Sequence, residues 1–182
     1  MNTFPTLSGK RLYLRNLHLD DAQAVYDIFS DDEVTKYYDL ESFTELEQAK
    51  RFITQMHDRY EQEKGIRWAI IEQASGQVIG TCGFNIYIAR NNSTDLGYDF
   101  RRSAWGKGFA TEAVSRIISY AFSDSFPVEL NRIQALTVPD NAASEKVLSK
   151  LGFVKEGLLR QYGFWKDAYQ DLHSFSLLAE DS

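Results

Sequence analysis

The chain has little cysteine, little proline and no long apolar run, and each shortage excludes a class of protein. Its 182 residues include a single cysteine, Cys82, so an internal disulfide is excluded and the paired-Cys pattern of a zinc site is absent. The plain reading of Cys82 is a small buried hydrophobe in a reducing compartment. Three prolines, with no repeat and no Pro/Ser-rich linker, leave nothing to divide the chain, so one domain over residues 1–182 is expected. No stretch approaches the ~18 apolar residues of a membrane span. Met1–Pro5 has neither a charged start nor an apolar run, so no secretory signal is expected and the location reads as cytoplasmic. Positive charge is short as well: 20 Lys and Arg against 26 Asp and Glu give a net charge of -6. That field would repel polyanions, which argues against nucleic acid and membrane surfaces as partners and leaves room only for a local basic groove. His18, His57 and His173 are scattered without metal-ligand spacing, and no metal is expected.

What is present is ordinary globular material, 43% apolar and 25% charged. A chain of this length buries roughly 70% of its unfolded surface, enough for a substantial core. Lys10–Arg15 alternates as a strand does, with Leu12 and Leu14 on one face. Asp20 opens a helix with Ala22, Val25, Tyr26 and Phe29 on its apolar stripe and Gln23 at the capping-box position. A second helix is expected from Thr44, with Glu47 as its box partner and Leu46, Ala49, Ile53, Met56 and Tyr60 as its stripe. From Arg67 the period changes to strands: Arg67–Glu72, Gln77–Ile88 and Thr94–Phe100, with Ser75-Gly76 and Arg90–Asn92 as turns. A helix from about Gly108 to Phe122, a strand at Arg132–Val138, a helix at Asn141–Leu151 stopped by Gly152, and two more strands complete the pattern. It reads as a mixed α/β domain around one sheet.

Residues 101–113 carry the most information. A strand ends at Phe100, glycines follow at 106 and 108, and a long helix starts at once. A helix N-terminus presents unpaired N–H groups and partial positive charge, and glycine lets an anion approach the backbone closely. Arg101, Arg102 and Lys107 add positive charge in an acidic protein. The loop is not a P-loop, because Gly106-Lys107 is followed by Gly108 and no glycine lies five residues before Gly106. It is not a Rossmann fingerprint either, because Thr111 stands where the third glycine would be. The composition favours a pyrophosphate site.

Here the chain resembles a known family. Trp105–Ala113 (WGKGFATEA), preceded by Leu96–Phe100 (LGYDF), is similar to the acetyl-CoA loop of the GNAT superfamily of N-acetyltransferases, and most to its RimJ/RimL-like branch. Gly106 and Gly108 match the Q/R-x-x-G-x-G/A pattern, while Ser103 departs from its first position. Asn141–Ser144 followed by Lys150-Leu151-Gly152-Phe153 and Glu156-Gly157 resembles the family's second motif. The resemblance spans nearly the whole chain. It implies a mixed, mostly antiparallel sheet of about six to seven strands flanked by about four helices.

The resemblance also implies a chemistry, acetyl transfer from acetyl-CoA to an amine. The backbone at Tyr98, Asp99 and Phe100 would meet the pantetheine arm and the thioester, if a bulge there frees its donors. Arg101, Arg102, Gly106, Lys107, Gly108, Phe109, Ala110 and Thr111 would hold the phosphates. Asn141 is either a cofactor contact or a helix N-cap, a role that Asp140 would fill equally well. Asp95 is the candidate base, directly or through a water, and Ser144 the candidate acid for the thiolate, since Leu148 stands where many relatives carry Tyr. Glu41 and Tyr38 are candidates for the acceptor mouth. The acceptor implied is an N-terminal α-amine of the ribosomal-protein type; the alternatives are a polyamine or aminoglycoside, or a non-catalytic acyl-CoA-binding module. Cys82 is the one conceivable thiol nucleophile. No Ser/His/Asp order or nucleophile elbow is present. Dimers are common among proteins of this kind, so a homodimer is compatible with the resemblance.

Overall fold

The structure, a computed structural model, describes residues 4–181. Met1–Thr3, on which part of the leader reading rests, lie outside the described residues. The strands in chain order are β1 (Leu7–Ser8), β2 (Leu12–Asn16), β3 (Ile66–Glu72), β4 (Gln77–Ile88), β5 (Ser93–Phe100), β6 (Arg132–Thr137), β7 (Val154–Trp165) and β8 (Ala168–Leu178). The helices are α1 (Ala22–Phe29), α2 (Asp32–Thr35), α3 (Leu46–Glu61), α4 (Phe109–Ala121) and α5 (Ala142–Lys150). All eight strands form one sheet in the order β1-β2-β3-β4-β5-β6-β8-β7. Every pairing is antiparallel except β5 with β6, which the α4 crossover makes parallel. The strand and helix numbers exceed the expected six to seven and about four. The additions are short: β1 has two residues and α2 has four, too few to leave a periodic signal.

Helices cover the sheet on both sides. On one face α1 and α3 pack Val25, Ile28, Phe29, Ile53 and Met56 against Ala69, Ile71 and Val78. On the other, α4 sets Phe109, Ala113, Val114 and Ile117 against Trp68, Ile70, Phe84 and Ile133. This is why β3 reads as a continuous apolar run and not as an alternation, since both its faces are buried. Cys82 lies in the second of these cores, fully buried, and burial pushes its thiol well above the usual range.

Both expected capping boxes are displaced, by two residues before α1 and by one at α3. Around α1 the working carboxylate is Asp21, which accepts from His18 N at 2.8 Å and pairs with Arg15 at 2.7 Å. At α3 the box partner is the amide of Gln48, whose Oε1 accepts from the backbone N–H groups of Thr44 and Glu45 at 2.7 and 2.9 Å.

Candidate active site

The central feature is a gap in the sheet. β5 and β6 pair only at Ser93↔Arg132, Thr94↔Ile133 and Asp95↔Gln134, and beyond Asp95 their ladder stops. From there β5 stays with β4, while β6 continues against β8 through Thr137↔His173. Alternation along β5 decides which groups face the opening. Arg101 N–H bonds to Ile79 O at 2.9 Å on the β4 side, and Asn92 O accepts from Asn131 N at 2.7 Å on the β6 side. Odd positions therefore turn their backbone to β4, and Tyr98 and Phe100 turn theirs to the gap. The expected bulge is not in β5. The extra residue lies in β4, between Phe84 and Tyr87, and the donors of β5 are exposed by the end of the ladder instead.

On the face covered by α1 and α3 lies a buried polar cluster. The Arg67 guanidinium pairs with the Asp99 carboxylate, donates to Thr81 Oγ1 at 2.6 Å and to Asn85 Oδ1 at 3.2 Å, and donates to the Tyr38 hydroxyl at 3.0 Å. Burial alone would lower the basicity of Arg67, but Tyr38 and Asp99 outweigh it and hold the charged form. Asp99 also accepts from Thr81 Oγ1 at 2.7 Å and from Thr81 N at 3.2 Å. Asp99 is thus absorbed in the fold: its side chain neutralises Arg67 and its backbone faces β4. The Tyr38 hydroxyl meets both Arg67 and Asp99, and burial raises it well above the ordinary range.

Asp95 sits on the same face of β5 but outside the ion pair. Its Oδ2 accepts from Asn85 Nδ2 at 3.2 Å. Its Oδ1 is buried without a hydrogen-bond partner among the described residues. Burial raises the carboxyl above its usual range, the Asn85 bond opposes the rise, and the charge of Asp39 adds to it. A carboxylate of raised pKa with one vacant acceptor oxygen is suited to take a proton.

Across the gap the Tyr98 hydroxyl meets Ser144 Oγ at 2.6 Å, joining β5 to the first turn of α5. Burial pushes the Tyr98 phenol up to about 12, with the Ser144 bond opposing, so it stays protonated near neutral pH. Ser144 is held in place from behind by Asn141, whose Oδ1 accepts from Ser144 N at 3.2 Å. Asn141 is therefore the N-cap of α5. Leu148, one turn on, is buried in the core.

Beyond the end of β5, Gly106 and Gly108 have φ of 73° and 78°, in the left-handed region that favours glycine. The first backbone bond of α4 is Glu112 N to Gly108 O at 3.1 Å, so the amides of Phe109, Ala110 and Thr111 precede it and emerge from the helix end. Sequence reading missed the residue that fixes this loop, Arg11. Its guanidinium donates to Lys107 O at 2.9 Å and to Glu112 Oε2 at 2.8 Å, and its carbon Cζ lies 4.5 Å from the centroid of the Phe109 ring. Trp105 Nε1 closes the other side on Phe100 O at 2.8 Å. Of the expected phosphate contacts, Arg101 donates to Gln77 at 3.1 Å and Arg102 pairs with Asp31 at 3.2 Å, whereas the Lys107 side chain is exposed. Arg11, Arg67 and Asn85 carry no motif; only a buried cation within a strand hinted at Arg67.

Residues 11–154 match the family described as Acetyltransferase (GNAT) domain. An uncharacterized N-acetyltransferase of Bacillus licheniformis is 43% identical over 176 residues, covering 97% of each chain. A ribosomal-protein-serine acetyltransferase of Escherichia coli is 29% identical over 104 residues, 57% of this chain and 56% of that one. An acetyltransferase (GNAT family) structure from Bacillus anthracis aligns with a TM-score of 0.85 at 24% identity, covering 97% of this chain and 99% of that one.

Proposed function

The chain belongs to the GNAT family of acetyltransferases, and from that premise we propose that it moves the acetyl group of acetyl-CoA onto the α-amine of a protein N-terminus. The dependence on acetyl-CoA and the N-acetyltransferase class come with the family; the acceptor and the residue roles are our reading. The observation that carries it is the gap between β5 and β6, flanked by an acceptor oxygen on Asp95 and by the Tyr98–Ser144 pair.

The residues fit the substrate. Gly106 and Gly108 leave room beside a helix end whose amides point outward, as a pyrophosphate requires. Arg101, Arg102, Lys107 and the amides from Phe109 to Thr111 hold it, and the backbone of Tyr98 and Phe100 lines the pantetheine arm and polarises the thioester carbonyl. Asn141 contributes its side-chain amide beside its capping role. Acetyl-CoA supplies the thioester. Asp95 takes a proton from the incoming ammonium, so that an N–H bond breaks as an O–H bond forms. The amine attacks the thioester carbon; as the intermediate collapses the attacking nitrogen gives its second proton to solvent, the C–S bond breaks, and the sulfur leaves with the electron pair to take the proton of Ser144 Oγ. The Tyr98 hydroxyl returns a proton to Ser144, and solvent restores both groups. Cys82, buried in the core, takes no part, so transfer is direct and no acyl-enzyme forms.

The E. coli relative's name supports a protein acceptor, and the acidic balance of the chain suits a cationic one. We read residues 1–182 as one cytoplasmic catalytic domain. Thiol release should be followed with free N-terminal peptides, the same peptides N-terminally blocked, polyamines and an aminoglycoside. Turnover confined to free N-termini, with α-N-acetylation seen by mass spectrometry, is expected. Turnover on polyamines or the aminoglycoside alone would replace the acceptor; binding of acetyl-CoA with no turnover on any amine would replace catalysis with a binding role.

A further inference from the structure

Asp95 and Asp99 stand on the same face of one strand, yet only Asp99 meets the Arg67 guanidinium directly. Between Arg67 and Asp95 stands Asn85, and its two contacts fix its orientation. Arginine can only donate and an ionised carboxylate can only accept, so Oδ1 must face Arg67 and Nδ2 must face Asp95. Asn85 occupies the irregular stretch of β4 between Phe84 and Tyr87, where an extra residue interrupts the register with β5. The space it fills is provided by Gly97, the residue between the two aspartates. A Cβ at Gly97 would lie 2.8 Å from Asn85 Nδ2, 3.2 Å from Asn85 Oδ1 and 3.3 Å from Arg67 Nη1.

We propose that Asn85 is a positioning residue for the reaction: anchored by Arg67 and seated over Gly97, it occupies Asp95 Oδ2 and leaves Oδ1 as the oxygen that receives the amine proton. The inference rests on the reading of Asp95 as the base. It explains why two nearby carboxylates divide their roles. Asp99 neutralises the buried cation, and Asp95 meets it only through a neutral amide, so it keeps the basicity that a direct ion pair would remove. When the N–H bond of the ammonium breaks, the O–H bond forms at Oδ1, and the Asn85 bond to Oδ2 survives the transfer. The charged and titratable groups on this side of the site are Asp39 in the segment after α2, Tyr38, Arg67 on β3 and Asp99 on β5. Of these, Asp39 acts on Asp95 with the same sign as burial, and the Asn85 bond acts against both.

The test is the pH profile of kcat/KM for Asn85→Ala, Gly97→Ala and Asp95→Asn, with acetyl-CoA and an acceptor turned over by the parent protein. Loss of the Asn85 bond should move the acidic limb upward by about one pH unit, because a hydrogen bond to a charged group is worth roughly that much. Gly97→Ala keeps every polar group and presses chiefly on the Asn85 amide, with a lighter contact to Arg67, so it should give the same upward shift even if Asn85→Ala folds poorly. The Asp95→Asn profile should lose the limb. If Asp95→Asn loses it while the other two variants leave it in place and merely lower the rate at all pH values, the positioning role is overturned and the base assignment stands. If Asp95→Asn retains the limb, the base assignment falls and the positioning role falls with it.

Discussion

The Tyr98 hydroxyl and Ser144 Oγ stand 2.6 Å apart, one at the end of a strand and the other in the first turn of a helix, and their bond spans the gap in the sheet. Each residue arrives by a different route. Tyr98 is placed by the antiparallel register Cys82↔Tyr98, and Ser144 by the Asn141 cap. Ser144→Ala should lower kcat about a hundredfold, as expected for loss of a general acid. Tyr98→Phe should lower it about tenfold, since it removes one hydrogen bond and leaves Ser144 in place. Steady-state kinetics with saturating acetyl-CoA measure both, and equal small effects in the two variants would reduce the pair to a structural tie.

Asp95 carries a stability cost that the proposed mechanism puts to use. Its folded pKa lies above the ordinary carboxylate value, chiefly through burial. For a carboxyl shifted upward, the charged form is disfavoured in the folded state, so stability falls as pH rises through the folded pKa and is regained below it. Asp95→Asn removes that charge and should melt higher than the parent at neutral pH while losing turnover. A lower melting temperature for Asp95→Asn would show that the carboxylate is held by favourable contacts and not stranded.

Gly106 should be intolerant of a branched side chain. Its φ of 73° is strained for any L-residue and worse for a β-branched one. Gly106→Val should raise KM for acetyl-CoA about tenfold through backbone strain and crowding of the phosphate site, with a smaller change in KM for the amine. A matched rise in both constants would place the damage in the fold and not in the loop.

Arg11 straps the loop from the bend that precedes β2. The guanidinium is 43% exposed in its pair with Glu112, so the ion pair itself adds at most about 1 kcal/mol of stability. The larger effect should be on order, because the same side chain holds the Lys107 carbonyl and covers Phe109. Arg11→Ala should therefore weaken acetyl-CoA binding several-fold with a small drop in melting temperature, read by titration calorimetry and thermal denaturation. Lys10→Ala, which removes a neighbouring charge without a strap, should leave both nearly unchanged.

The elements with a full apolar period were legible in advance. The stripe of Phe109, Ala113, Val114 and Ile117 fixed α4 to within one residue at each end, and β4 runs over the expected Gln77–Ile88. The glycine loop was legible because only glycine holds those dihedrals without strain. Less visible were contacts between groups distant in sequence, such as Arg11 with Glu112 and Tyr98 with Ser144. No local spacing encodes them. Asp99 illustrates the limit: its place in the motif was legible, and its buried ion pair with Arg67 was not.

The sequence by itself determined the alternation of strands and helices, the anion-ready turn at Gly106 and Gly108, and the family motifs. All of these depend on residue type and near-neighbour spacing, the range over which backbone preference and amphipathic period act. Only the tertiary structure decided that β5 parts from β6 after Asp95, that Asp95 and Asp99 differ in their contacts, and that Asn85 stands between Asp95 and Arg67. Those outcomes depend on which strands lie side by side and on how deeply each charge is buried, and desolvation is a property of the folded environment.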